Sequence, residues 1–244
     1  MSDALRTLYD DGTSQLERDL GRTQREHKYL LDRNAAVSFW AVAASRLRLD
    51  EDPRWPIGYV RTTYFDTTDF AYYRASAGGM SRRNRVRECA AATERRRTPV
   101  LTGICVLELK QSSGGRRSKS RLPVAPADVP AQLARFGDRP LVPCLTTWYQ
   151  RTALTDGSDA VRITLDAHIR FCAPTAVGTP CPSVEPAHVL ARGPAFVLEV
   201  KLWDAPPAWL ARALSGLAEA VGFSKFMAGM RAAEQRTSTR HPSR

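Results

Sequence analysis

The sequence predicts an α+β fold: an antiparallel eight-stranded β-barrel tunnel with helices packed outside. Three observations predict it. Short strand-like runs recur along the chain, separated by polar turns. Within those runs, charged residues alternate with Tyr, Leu, Ile and Val, so one face of each strand is charged and the other apolar. Helical stretches supply enough apolar surface to cover the apolar side of the sheet, which turns the charges inward.

The elements follow in order. Residues 2–20 carry Leu5, Leu8, Leu16 and Leu20 as a broken helical stripe, interrupted at Asp11-Gly12. Residues 25–32 read as a strand. Residues 34–49 read as a helix with Asn34 as N-cap and Val37, Trp40, Val42 and Leu47 as its apolar members. Asp52-Pro53 ends it. Strands are expected at 58–66, 83–89 and 103–111, and Ser112 to Gly115 forms a hairpin loop into a strand at 118–123. A short helix is expected within 126–136. Strands return at 145–153 and 160–167, joined by a turn at Asp156-Gly157. Residues 173–194, rich in Pro, Gly and Ala, read as loop, followed by a strand at 195–202. Pro206-Pro207 opens an amphipathic helix bearing Trp209, Leu210, Ala213, Leu214, Leu217 and Val221, with Gly222 as its stop. These elements place one domain at 22–232, a helical extension at 1–21 and a basic disordered tail at 233–244.

Residues two apart on a strand share a face. Glu26 thus pairs with Lys28, Arg85 with Arg87, Glu108 with Lys110, Lys119 with Arg121, Tyr149 with Arg151, and Glu199 with Lys201. Arg162, Thr164 and Asp166 also line up. A sheet with one wet face and one core face would show the same alternation. The repetition of Arg and Lys, often two residues after a Glu, favours an enclosed charged interior instead. Such an interior is costly if empty, and a polyphosphate chain would compensate it. The Arg fork binds phosphate oxygens in pairs, and Lys adds a point charge. The carboxylates cannot bind phosphate directly. They either hold Mg²⁺ or Mn²⁺ or form salt bridges to the neighbouring cations.

The bulk numbers agree. Lys and Arg outnumber Asp and Glu by 36 to 25 over 244 residues, a formal net charge of +11, which points to an anionic partner. The five cysteines match no zinc motif, and free thiols in a reducing cytosol are expected. No signal peptide or bilayer-length apolar run is seen, so a cytoplasmic protein is expected, brought to any membrane by a separate partner. GGRRSKS lacks the GK[ST] ending of a phosphate-binding loop and reads as a flexible hairpin. His27 lies opposite Lys28 in the strand and reads as a packing or surface histidine.

REHKYLLD at 25–32, TTYFDT at 62–67, RVR at 85–87, LELKQ at 107–111, KSR at 119–121, WYQR at 148–151, VRITLD at 161–166, LEVK at 198–201 and SKF at 224–226 occur in this order. Together they resemble the VTC domain, the polyphosphate polymerase domain of the triphosphate tunnel metalloenzyme, or CYTH-like, superfamily. The resemblance implies that Lys28, Arg85, Arg87, Lys110, Arg151 and Arg162 grip the triphosphate or growing chain. It implies that Lys119, Tyr149, Lys201, Ser224 and Lys225 bind substrate. Glu199 matches the metal-binding glutamate, with Glu26, Glu108 and Asp166 as further candidates for Mn²⁺ or Mg²⁺. The wider superfamily opens with alternating glutamates, whereas position 24 here is Gln; that departure weakens a two-metal hydrolase.

The implied activity is transfer of the terminal phosphoryl group of ATP, or another nucleoside triphosphate, onto inorganic polyphosphate. A tripolyphosphate or nucleoside triphosphate hydrolase and a non-catalytic polyphosphate binder are the alternatives. Specific nucleic-acid recognition is not expected, because stacking platforms and recognition modules are absent. Eukaryotic members of the family carry membrane segments fused to this domain, which leaves a separate membrane-protein partner open here.

Overall fold

The computed structural model describes residues 25–50, 57–77, 81–92, 100–113, 116–135, 139–157, 160–179 and 189–240. The helix expected at 2–20 lies outside them, as do Cys181 and residues 241–244. The strands are β1 (Arg25–Leu31), β2 (Arg48–Leu49), β3 (Ile57–Asp66), β4 (Ser81–Ala92), β5 (Val100–Ser113), β6 (Arg116–Pro123), β7 (Val142–Thr155), β8 (Val161–Cys172), β9 (Val189–Arg192) and β10 (Phe196–Leu202). The helices are α1 (Arg33–Ala44), α2 (Ala71–Ala77), α3 (Val129–Leu133), α4 (Ala208–Leu214) and α5 (Lys225–Arg240), with a 3-10 turn at Pro126–Asp128.

The strands form one ten-stranded antiparallel sheet in the order β1-β10-β8-β7-β3-β4-β5-β6, with β2 on β7 and β9 on β8. The expected closed eight-stranded barrel is corrected: β1 and β6 stand at the two ends of the ladder and do not pair with each other. Alternation fixes which way each side chain points. Closure needs a further backbone ladder between the first and last strands, and alternation is silent about that. Two short strands, β2 and β9, were also not expected. No described helix is long and apolar enough to cross a membrane.

The chain divides into two compact units. The first holds residues 1–58, 149–169 and 194–223. Its core is built from the apolar faces of β1, β8 and β10 (Tyr29, Leu31, Ile163, Leu198, Val200), covered by Phe39 and Ala43 of α1 and Leu210 of α4. Helix α1 starts earlier than expected, because Asp32 is extended and its Oδ1 accepts the Ala35 N–H at 2.8 Å; Asn34 is not the cap. The buried stripe is Ala36, Phe39 and Ala43, whereas Val37 is 62% exposed and Val42 also lies outside. Of the expected apolar members, Trp40 and Leu47 do pack against this core, and only the two valines face away from it. Helix α4 stops at Leu214, short of the expected Gly222. The Ser215 N–H and Oγ both donate to Arg212 O, and Gly216 turns the chain at φ +105°. Leu217 still packs on the core, and Val221 is 87% exposed.

The second unit holds residues 59–148, 170–193 and 224–244. Strands β5 and β6 form the expected hairpin, paired from Ser113↔Arg116 to Val106↔Pro123. Phe65, Val86, Leu107, Val129 and Leu133 make its core. A buried ion pair was not anticipated here. Arg61 Nε and Nη2 reach both oxygens of Glu88 at 2.7 and 2.6 Å. The same two residues bind the loop after β8 through the Thr179 carbonyl and the Gly178 N–H, each at 2.8 Å. Asp66 is also fully buried and accepts the N–H groups of Tyr72 and Tyr73 at 3.0 and 2.8 Å, which fixes the start of α2. Helix α5 continues to Arg240, so most of the segment expected as a disordered tail is helical. Cys89, Cys105, Cys144 and Cys172 form no disulfide. Burial pushes the thiols of Cys105 and Cys144 up to about 12, which makes them poor nucleophiles at neutral pH.

Candidate functional site

Two clusters of charge stand on strand faces, one in each unit. In the first unit, the antiparallel register places three side chains in each of two rows. One row is Lys28, Glu199 and Thr164; the next is Glu26, Lys201 and Arg162. Glu26 and Glu199 each stand next to lysines, whereas Lys201 and Arg162 are like charges side by side. Lys28 Nζ bonds Glu26 Oε1 and lies 4.0 Å from Glu199 Oε2, and Lys201 Nζ is 3.5 Å from Glu199 Oε1. Burial pulls the Lys201 ammonium down; Glu199 and Glu26 oppose that shift, while Arg162 and Arg151 add to it. Arg162 extends to Asp50 at 2.9 Å.

Beside these rows, Arg151 Nε and Nη2 form a two-pronged pair with the buried Asp166 at 2.7 and 2.8 Å. Burial would lower the Arg151 pKa, but Asp166 outweighs it and raises it well above the ordinary range. The guanidinium also lies over the Tyr149 ring, 5.2 Å from its centroid. His27 points the other way and pairs with Glu219 at 3.1 Å, which agrees with a surface role.

In the second unit, one carboxylate gathers four cations from the two strands that flank it. Glu108 on β5 is 1% exposed. Its Oε2 accepts from Arg85 Nε at 2.6 Å and Arg87 Nη2 at 3.0 Å, both on β4. Its Oε1 accepts from Arg121 Nε at 2.9 Å, with Lys119 Nζ at 3.9 Å, both on β6. Register explains the convergence, because Arg85 and Arg121 are the direct ladder partners of Glu108. Burial pushes the Glu108 carboxyl up, but the four cations outweigh it and hold it well below the usual carboxylate range. Lys110 lies next along the face, opposite Arg83 and Lys119 in the ladder.

Ser224 and Lys225 begin α5. Ser224 is buried, and its Oγ accepts the Met227 N–H at 3.5 Å as a long N-cap. Phe226 packs on Tyr64 and Tyr73. Gly229 lets this helix lie close, since a Cβ there would stand 2.5 Å from Leu145.

The structure therefore brings together Glu26, Lys28, Tyr149, Arg151, Arg162, Asp166, Glu199 and Lys201 in one unit. It brings together Arg85, Arg87, Glu108, Lys110 and Lys119 in the other, with Ser224 and Lys225 at the head of a helix there. Arg121 was passed over as a site residue. The expected loop from Ser112 to Gly115 left the register open; in the structure Ser112 and Ser113 pair with Arg117 and Arg116, and this register sets Arg121 opposite Glu108. Arg61 and Glu88 gave a weaker signal, an Arg in the middle of a strand whose other charge, Asp66, stands at its end.

The four carboxylates proposed for metal differ in fitness. Asp166 is held on both oxygens by Arg151, and Glu108 on both by arginines. Glu26 and Glu199 instead both have Lys28 Nζ as a neighbour and are not held by arginine forks. They fit a hard divalent cation, which binds through one or two carboxylates and fills its remaining positions with water and phosphate oxygens. No group of three or more His, Cys, Asp or Glu side chains suited to a metal occurs among the described residues.

Comparison with known proteins bears on this arrangement. The family described as VTC domain matches residues 23–139 and 131–234. No curated protein sequence matches. Among solved structures, a protein of Pyrococcus horikoshii OT3 is 13% identical and covers 88% of this chain and 99% of its own, with a TM-score of 0.48. A Bacillus halodurans protein proposed to be an adenylate cyclase is 13% identical, with coverages of 85% and 97% and a TM-score of 0.48. A Vibrio parahaemolyticus protein proposed to have the same activity is 13% identical, with 88% of each chain covered and a TM-score of 0.43. Likenesses at this level carry no functional weight.

Proposed function

The chain belongs to the VTC domain family, and we propose that it is a polyphosphate polymerase-like phosphotransferase that moves the terminal phosphoryl group of ATP onto a polyphosphate end. The observation that carries this reading is the set of four cations around Glu108. Those five side chains have a formal charge of +3, four cations less one carboxylate. Glu108 holds the guanidinium groups in place at their Nε and Nη2 atoms. The rest of each fork is geometrically suited to phosphate oxygens.

In the reaction, an acceptor phosphate oxygen forms a bond to the terminal phosphorus of ATP. The bond from that phosphorus to the bridging oxygen breaks, and ADP leaves with the electron pair. Such a transfer needs positioning and charge stabilisation more than a covalent nucleophile. Arg85, Arg87, Lys110, Lys119 and Arg121 would bind the chain. Arg151, fixed by Asp166, and Arg162 would neutralise charge on the phosphoryl group, and Tyr149 would donate a hydrogen bond. Lys28 and Lys201 would bind phosphate beside Glu199. Ser224 and Lys225 would present a hydroxyl and an ammonium at the head of α5. Mn²⁺ or Mg²⁺ held by Glu199, with Glu26, would supply a compact positive charge for phosphate oxygens.

The test is incubation of the pure protein with ATP and Mn²⁺. Long polyphosphate on a gel is expected, falling about 10²-fold in rate for Arg85→Ala and Arg162→Ala. Free phosphate without polymer would replace the reading by triphosphate hydrolysis. Absence of both products, with polyphosphate still bound, would leave a non-catalytic binder.

A further inference from the structure

Thr164 stands in the row formed with Glu199 and Lys28, on the charged face of β8 between Arg162 and Asp166. It is 4% exposed, and its Oγ1 has no hydrogen-bond partner. A buried hydroxyl left in this state costs free energy and is rare in folded proteins. Neither of the carboxylates beside it accepts from this hydroxyl. Asp166 takes both prongs of Arg151, and the Glu199 carboxylate has Lys201 at 3.5 Å and Lys28 at 4.0 Å. If the side chain were there only to fill space, Val would have the same β-branched shape without an unmet hydroxyl.

A hydroxyl lacking an acceptor among surrounding lysine and arginine cations suits a ligand that carries acceptor oxygens and negative charge. Resting on the phosphotransferase reading, we propose that the Thr164 hydroxyl donates a hydrogen bond to a non-bridging phosphoryl oxygen of the bound polyphosphate or triphosphate, next to Glu199. Thr164 is thereby a substrate-positioning contact that none of the neighbouring charges can replace. The cations supply attraction without direction, and the hydroxyl fixes where one phosphate stops along the row.

The experiment is calorimetric titration of inorganic tripolyphosphate, in Mg²⁺ buffer, into wild type, Thr164→Val and Thr164→Ser, with the melting temperature of each ligand-free protein. Thr164→Val is expected to melt at or above the wild-type temperature and to bind about tenfold more weakly, as for loss of one hydrogen bond to a charged group. Thr164→Ser keeps wild-type affinity. A purely structural threonine gives the opposite pattern: Thr164→Val binds like wild type, and the inference falls while the phosphotransferase reading stands. If wild type itself binds no tripolyphosphate, both fall. Should Thr164→Val not fold, Thr164→Ala is judged by the same affinity criterion.

Discussion

The motif Leu-Glu-x-Lys occurs twice, at 107–110 on β5 and at 198–201 on β10, and the two glutamates meet different surroundings. Glu199 takes its own strand neighbour Lys201 as a partner at 3.5 Å and faces Lys28 on one side and Thr164 on the other. Glu108 faces an arginine on both sides, and its partners come from β4 and β6. One glutamate therefore lies in a near-balanced row of carboxylates and lysines. The other is the single anion of a cationic cluster. The same Leu-Glu-x-Lys pattern became a candidate cation-binding group in one unit and an anchor for arginines in the other, because the cross-strand partner decides which charge a strand glutamate sees.

Removing the anchor should have the largest effect. Glu108→Gln leaves four cations facing a neutral amide and is expected to cost about 3 kcal/mol of stability in denaturant unfolding. Excess tripolyphosphate should restore more stability to this variant than it adds to wild type. Equal stability of the two proteins would show that Glu108 does not anchor the arginines. Next in size, Glu199→Gln should weaken Mn²⁺ binding about tenfold or more, read by electron paramagnetic resonance. Asp166→Asn should leave that binding within about threefold, since its role lies with Arg151. Equal losses would place both carboxylates in one metal set.

The smallest effect is in acid. The folded Glu108 carboxyl lies below its ordinary value of 4.5, so its contribution to stability is complete above that pH and is lost as pH falls through the folded value. Stability measured from pH 5 downward should drop less steeply in Glu108→Gln than in wild type. Parallel curves would show that Glu108 carries no such linkage.

Much of this could be read in advance. Alternation at period two identified the charged face of every strand that carries a candidate residue, and the apolar partners Tyr29, Leu31, Ile163, Leu198 and Val200 do form a core. The turn residues from Ser112 to Gly115 announced the β5–β6 hairpin, although Ser112 and Ser113 belong to its paired strands. Helices were less legible. In α1, Trp40 packs on the core as expected, but the buried stripe is Ala36, Phe39 and Ala43 while Val37 and Val42 are exposed, and α4 ended where Ser215 and Gly216 closed it, well before Gly222. The Arg61–Glu88 pair joins residues 27 positions apart, and no local pattern connects them.

By itself, then, the sequence determined the order of the eight longer strands along the chain, the alternation of faces within them and the excess of positive charge, because these follow from pleat geometry and composition. Only the tertiary structure decided which charges meet, that Asp166 belongs to Arg151 and Glu108 to three arginines and a lysine, and that the ladder ends at β1 and β6 without closing. Those outcomes depend on cross-strand register and on backbone hydrogen bonds between distant segments, and neither is encoded at the scale of a single strand.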